Sequence, residues 1–501
     1  MPGIHAARGI LVKARPLDAN RRLAVDGGDL EFDARPLFPS IDASSSLGVG
    51  ARTVWQVLEP RFALSEQNAW DVCHQLLARG FGVDGSPPPE FAEPDFEQHW
   101  QIGPPLDTAL ALAGGCQLKQ QDSHFPTHPD PLWFKDASHG QFRAALDVLG
   151  EVSAGEAVRV AHLDTGYDRQ HAGLPARLNH SLERNFVEAD RPTDASDSSV
   201  GPLASLGHGT GTLGVLASGA VRDGVPIGAA PFVEVVPLRV ANSVVLFYTS
   251  GIASALDYVY ALCTNAATRV DVVTMSMGGL ASQAWAEAVN ALYEAGVFVV
   301  TAAGNNLGNL PTRQIVFPAR FKRVIAACGV MANFQPYADL SMNLMAGNYG
   351  PSDKMDTALS GYTPNIPWAT FGCSELINPD GAGTSCATPQ VAAAAAIWIQ
   401  RHRSAWGSYS ENWMRVEAVR RALFTSARDL DRAHLGRGAV AAADALLHAP
   451  EAESALRPQP PDSASFPIWR LLFGVGANEE LSPRQRMLEL EALQLSQAPV
   501  E

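Results

Sequence analysis

Four short stretches of this 501-residue chain set a chemically capable side chain among small residues. Asp164-Thr-Gly-Tyr-Asp168 closes an apolar run and offers a carboxylate at a turn. Gly207-His208-Gly-Thr-Gly-Thr-Leu-Gly-Val-Leu-Ala217 puts an imidazole at the first turn of a small-residue helix, whose positive end favours a neutral base. Ala302-Ala-Gly-Asn305-Asn306 follows another apolar run, and an amide held by a glycine turn can donate to a developing oxyanion. Gly381-Ala-Gly-Thr-Ser385-Cys-Ala-Thr-Pro-Gln-Val-Ala392 feeds a serine hydroxyl into the start of an apolar helix, so that the helix amides face whatever the hydroxyl attacks.

Taken singly, each stretch also has a plain reading as a turn, an exposed histidine or a helix start. Asp-Thr-Gly could also be half of an aspartic dyad, in which two carboxylates share a proton, but no second Asp-Thr-Gly or Asp-Ser-Gly occurs. No Gly-x-Ser-x-Gly elbow is present either, which argues against an α/β-hydrolase esterase.

Read together, in the order Asp164, His208, Asn305, Ser385, the four motifs resemble those of the subtilisin-like serine proteases, the subtilases. The resemblance spans about residues 131–448 and takes in Phe317-Pro-Ala-Arg-Phe-Lys-Arg-Val-Ile-Ala326 and Asn348-Tyr-Gly-Pro351. It implies a serine endopeptidase acting on polypeptides, with Ser385 as nucleophile, His208 as base and then acid, Asp164 orienting the imidazole, and Asn305 with the Ser385 amide holding the oxyanion. By the same resemblance Ser276, Met277 and Gly278 form the strand along which substrate pairs. Ala302, Ala303 and Gly304 line the first specificity pocket, with Val316 at its base. Three positions depart from the family pattern: Gly211 stands where a second histidine is usual, Cys386 where methionine follows the nucleophile, and Gln390 where histidine is common. Cys386 is expected to make the enzyme sensitive to thiol reagents. No metal or other cofactor is assigned. Many subtilases bind calcium, but the acidic loop with Asp190, Asp194 and Asp197 has no ligand spacing and is expected to be solvated.

The elements that must position these groups follow from hydrophobic pattern. Short valine-rich runs over 158–163, 233–238, 270–275, 297–301 and 324–327 alternate with helical segments such as 250–267 and 282–295. That alternation predicts a mostly parallel sheet covered on both faces, and the resemblance makes it the three-layer subtilisin-like α/β fold, over residues 136–450. Residues 1–96 read as a small α/β unit with strands over 10–14 and 54–58 and a helix over 65–79. It ends in Phe91-Ala-Glu-Pro-Asp-Phe96, which resembles the end of a subtilase propeptide and implies an intramolecular inhibitor or chaperone. Residues 97–135, rich in Gln, Gly, Pro and Asp, are expected as a linker. Residues 451–501 form a tail with an apolar stretch over 466–473, a candidate contact for a protein partner, and a last helix over 482–497.

Composition excludes other classes. Hydrophobic residues at 46% against 18% charged rule out a disordered chain, and 37 basic against 52 acidic residues, a net charge of -15, disfavour nucleic acid and anionic lipid. No apolar stretch is long enough for a membrane span, and no secretory signal is recognised at the start of the sequence. The six scattered cysteines are expected as free thiols, and with them a cytoplasmic location. An idle subtilase fold kept as a binding scaffold is the alternative to an active peptidase.

Overall fold

The structure is a computed structural model that describes residues 7–17, 20–25, 28–44, 53–61, 66–81, 87–99, 116–201, 204–310, 312–465 and 481–497. The valine-rich runs become the middle of a seven-stranded parallel sheet. Its order is Ala358–Tyr362, Ile325–Val330, Phe298–Ala302, Val272–Met275, Arg159–Asp164, Glu234–Arg239, Arg184–Asn185. Because successive side chains of a strand point to opposite faces, each strand feeds two cores. Val160, Val235, Val272 and Val300 pack with Leu213, Val391 and Trp398 of helices His208–Ala217 and Thr384–Gly407. Ala161, Leu163, Val236 and Val273 pack on the other face with Ile252 and Trp285 of helices Thr249–Cys263 and Gln283–Glu294. The three-layer α/β architecture is therefore present. The two edge strands escaped the sequence reading because neither is an apolar run. Gly361 sits in Ala358–Tyr362 where a Cβ would come within 2.6 Å of the Ala387 carbonyl, so close approach of the Thr384–Gly407 helix holds that edge.

The N-terminal unit is an antiparallel sheet, ordered Phe91–His99, Ala7–Ala14, Val54–Pro60, Gly28–Pro36, Asn20–Val25, with helices Pro39–Ser44 and Glu66–Arg79. The hairpin pair Asn20–Val25 and Gly28–Pro36 was not anticipated, although Asp26-Gly27 between them is a hairpin signal. Phe91–His99 also pairs antiparallel with Leu246–Tyr248 of the parallel-sheet domain, joining the two units through backbone.

Residues 116–135, expected as linker, are fastened to the parallel-sheet domain. Asp122 N donates to Asn365 Oδ1 at 2.7 Å, Trp133 Nε1 donates to Asn365 O at 3.0 Å, and Cys116 is disulfide-bonded to Cys373. The expectation of six free cysteines is thus corrected: Cys73, Cys263, Cys328 and Cys386 are free, and a bond that a reducing compartment would open removes the argument from thiols to the cytoplasm.

The tail is also held. Arg323 Nη2 donates to Gln459 O at 2.9 Å, and Asp462 accepts the Lys322 and Arg323 amides, each at 2.8 Å. Its last helix, Pro483–Gln497, buries Met487, Leu490 and Leu493 in the core shared by the N-terminal unit and the Thr249–Cys263 layer. The apolar stretch 466–473 lies outside the described residues, as does most of the 97–115 part of the linker. Among the described residues no helix is long and apolar enough to cross a membrane.

Candidate active site

Asp164 ends the central strand Arg159–Asp164, and His208 opens the helix His208–Ala217 beside it. Gly209 permits this approach, since a Cβ there would lie 2.0 Å from the Gly166 carbonyl. The result is direct contact: His208 Nδ1 is 2.7 Å from Oδ1 of the fully buried Asp164. Burial alone would raise the Asp164 pKa, but the charge and hydrogen bond of His208 and the hydrogen bond from the Thr165 amide outweigh it and hold the carboxyl below its usual range.

Ser385 stands in the first turn of Thr384–Gly407, where helix amides have no intrahelical acceptor. Pro389 four residues on has no N–H for the Ser385 carbonyl, which instead accepts from Ser276 Oγ at 3.1 Å. In return Ser385 Oγ donates to the Ser276 carbonyl at 3.3 Å. The Ser385 turn is thereby clasped to the strand expected to bind substrate, and the hydroxyl donates to Ser276 O rather than to His208. Asn305 Oδ1 accepts the Thr384 amide at 2.9 Å, which commits its oxygen and leaves its Nδ2 as the free donor at the same helix start. A carboxylate–imidazole pair, a serine at a helix N-terminus and an amide donor therefore all lie at the carboxyl ends of the parallel strands, where open α/β sheets gather their functional groups.

The subtilase family model matches residues 155–442, more than half of the chain. The chain belongs to the subtilase family. It is 30% identical over 280 residues to a subtilisin-like protease of Coccidioides posadasii (strain C735), covering 54% of this chain and 60% of that protein. It is 29% identical over 251 residues to subtilisin E of Bacillus subtilis (strain 168), covering 50% and 57%, and 28% identical over 292 residues to subtilisin DY of Bacillus licheniformis, covering 57% and 89%. The chain thus spans less than two thirds of the first two relatives. Membership supports serine peptidase activity.

The family departures have local causes in this subtilase. A Cβ at Gly211 would lie 1.9 Å from Trp368 Cε2, and the Trp368 indole packs edge-on to His208 at 5.5 Å, filling the place a second histidine would take. Gln390 ties the helix to the sheet: its Nε2 donates to Tyr362 O at 2.7 Å and its Oε1 accepts the Tyr362 amide at 3.0 Å. Cys386 is fully buried, with its thiol donating to Ala382 O, and burial pushes its pKa up. The expected thiol sensitivity is corrected accordingly, because neither reagent nor thiolate is available there.

Val316 lies between the two segments expected to wall the first specificity pocket: a Cβ on Gly278 would be 2.6 Å from its Cγ2, and one on Gly304 would be 3.1 Å from both its methyls. Ala302 and Ala303 are buried, the Ala303 carbonyl accepts the Val316 amide at 3.0 Å, and Val316 packs with Leu280. Ser276, Met277 and Gly278 follow Val272–Met275.

The acidic loop is solvated at Asp190, as expected, but not at Asp197, and the Asp194 and Asp197 carboxylates are taken up by arginines rather than left for calcium. Asp197 is buried, its Oδ1 3.1 Å from Arg239 Nη1 and its Oδ2 accepting from Gly207 N at 2.7 Å and Thr165 Oγ1 at 2.9 Å. Asp194 pairs with Arg169 at 3.0 Å. These carboxylates already face cations, and among the described residues no three His, Cys, Asp or Glu side chains form a metal-ligand group. Sequence reasoning missed Asp197, which ties the turn after Asp164 to the turn before His208. It also missed His162 and Thr212, each on the same element as a predicted residue.

The N-terminal unit sits on the helix starts near the strand expected to bind substrate. Glu93 accepts from Ser282 Oγ at 2.9 Å, Gln283 N at 3.0 Å and Ala284 N at 2.9 Å. Asp95 accepts from Ser250 N at 2.8 Å and Ser250 Oγ at 2.6 Å. Each carboxylate caps one helix of the subtilase domain, a favourable charge at a positive helix end. Burial raises the pKa of both, that of Glu93 to about 7.

Proposed function

We propose that this subtilase is a serine endopeptidase. Ser385 Oγ attacks the scissile carbonyl carbon while His208 Nε2 takes its proton; the C–N bond then breaks as His208 returns that proton to the leaving amine. Water, deprotonated by His208, attacks the Ser385 ester and releases the acid. Asn305 Nδ2 and the Ser385 amide hold the oxyanion, each donor worth about 2.7–4 kcal/mol. The observation that carries the reading is the 2.7 Å contact between His208 and the buried Asp164, a pairing that makes imidazole a base beside a helix-borne serine. A fluorophosphonate should label the protein at Ser385, and Ser385→Ala should abolish both labelling and peptide hydrolysis without changing thermal unfolding. Hydrolysis that survives Ser385→Ala refutes the mechanism, and a wild-type protein that neither labels nor hydrolyses is the scaffold instead.

The N-terminal unit restrains this activity by occupying the Leu246–Tyr248 edge, which an extended substrate would otherwise pair with. The C-terminal helix reinforces it. Gln494 Nε2 donates to Ala281 O at 2.8 Å, Gln497 Oε1 accepts from Ala281 N at 3.0 Å, and Glu491 meets His74 of the N-terminal unit at 2.8 Å. One helix therefore grips both sides of the joint that Glu93 caps. The Cys116–Cys373 disulfide suits an oxidising compartment, and we place its action there.

A further inference from the structure

Behind the Asp164–His208 pair lies a second pair that the reaction scheme does not use. On a strand, residues two apart share a face, so His162 points to the same side as Asp164. On a helix, residues four apart share a face, so Thr212 lies one turn beyond His208. The strand pair and the helix pair meet as a buried square. Its first side is the contact between His208 Nδ1 and Asp164 Oδ1. Diagonally placed, Thr212 Oγ1 lies 3.1 Å from Asp164 Oδ2 and 2.8 Å from His162 Nε2. All of Asp164, His162 and Thr212 are buried.

The direction of the hydrogen bonds follows from counting donors. Asp164 Oδ1 already receives the Thr165 amide at 2.8 Å and faces His208. Oδ2, buried and charged, needs a donor as well, because an unpaired buried carboxylate oxygen is costly. The Thr212 hydroxyl also comes within 3.3 Å of the His208 carbonyl and 3.2 Å of the Gly209 carbonyl, but those are helix carbonyls with backbone partners in the next turn. The single Thr212 proton therefore serves Oδ2, and the lone pair left on Oγ1 accepts from His162 Nε2–H. This requires the proton of His162 to sit on Nε2; burial keeps the ring neutral by holding its pKa down, to about 4, so the relay uses the Nε2–H tautomer.

We propose that His162 and Thr212 are positioning residues: a relay from His162 Nε2–H through the Thr212 hydroxyl to Asp164 Oδ2 that fixes the carboxylate plane and so aims Oδ1 at His208. The relay deepens the peptidase reading and rests on it. Without the Thr212 hydroxyl, Asp164 can turn about Cβ–Cγ and its charge loses one of its donors, so the imidazolium formed at the transition state is less well held. The ground-state enzyme binds substrate elsewhere, on the Ser276–Gly278 strand, and KM should not change.

Thr212→Val keeps the shape and deletes the donor; Thr212→Ser keeps the donor. In the full-length enzyme Thr212→Val should lower kcat about 10- to 100-fold at constant KM, and slow fluorophosphonate labelling of Ser385 by a similar factor, while Thr212→Ser recovers most of both. His162→Gln, whose amide can donate to the same oxygen, should retain more kcat than His162→Met. Thermal unfolding of each variant is measured alongside, so that if His162→Met does not fold the Thr212 pair still decides. A Thr212→Val enzyme with wild-type kcat and labelling rate, or one in which Thr212→Ser fails to recover them, overturns the relay while leaving the peptidase reading standing. A wild-type chain that neither labels nor hydrolyses overturns both.

Discussion

Val316→Gly gives the most direct measure of substrate preference, because the side chain lies between two glycines that carry nothing to fill the gap it would leave. With Val316 in place, a P1 aromatic ring must displace methyls already within 3.1 Å of a Cβ position on Gly304. Overpacking of that kind costs about 1–3 kcal/mol, which lowers kcat/KM for P1 Phe about 5- to 150-fold relative to a residue that fits. Emptying the site removes three carbons, and a ring taking their place buries about as much again at about 0.8 kcal/mol per carbon, a gain of about 2 kcal/mol or roughly thirtyfold. The assay is kcat/KM on tetrapeptide anilides that differ only at P1, comparing Ala, Val, Leu, Phe and Tyr. The unmodified enzyme should prefer small or medium apolar residues, and Val316→Gly should move the optimum to Phe and Tyr, with Val316→Ala between them. Loss of a buried valine should also cost about 1.5–3 kcal/mol of stability, so unfolding is followed in parallel. A wild-type profile led by Phe or Tyr, or a Phe-to-Ala ratio that Val316→Gly leaves unchanged, removes Val316 from the pocket.

Three further outcomes follow from the interfaces. Docking raises the Glu93 pKa from 4.5 to about 7 and raises that of Asp95, so the docked unit binds protons more tightly than the free one. Inhibition by the N-terminal unit supplied in trans should therefore be strongest below about pH 4.5 and weaken up to about pH 7, by about two orders of magnitude, and Glu93→Gln should flatten the curve. Deleting residues 466–501, which removes the Pro483–Gln497 helix, should weaken that inhibition and raise basal hydrolysis; unchanged inhibition in the truncated enzyme would show that the helix does not hold the cap. Under non-reducing denaturation the chain should show four free thiols of its six cysteines, reduction should lower the unfolding temperature, and the native enzyme should keep its activity in thiol reagents because Cys386 is buried.

Local pattern carried most of the catalytic domain. Continuous valine-rich runs are buried on both faces whatever their neighbours, which is why five strands of the parallel sheet and the helices between them were legible from 158 onward. Asp164, His208, Asn305 and Ser385 were also legible, since each lies in a run of small residues that only a close backbone approach requires. Edge strands such as Ala358–Tyr362 were not, because that segment is no apolar run: its place is set by pairing with Ile325–Val330 and by the close approach of Ala387 from a helix later in the chain. The Cys116–Cys373 bond joins residues 257 apart in sequence, and no spacing rule connects them.

What tertiary structure alone decided is how these groups pair. A sequence names the residues on one strand or one helix, but whether His162 and Asp164 face His208 and Thr212 depends on which helix crosses which strand and at what register. The same holds for Asp197, which looks solvated in a run of Asp and Ser and is in fact enclosed by Arg239, Thr165 and Gly207 from three separate segments. Burial and charge pairing depend on the whole surroundings of a side chain, and those surroundings are assembled from distant parts of the chain only when it folds.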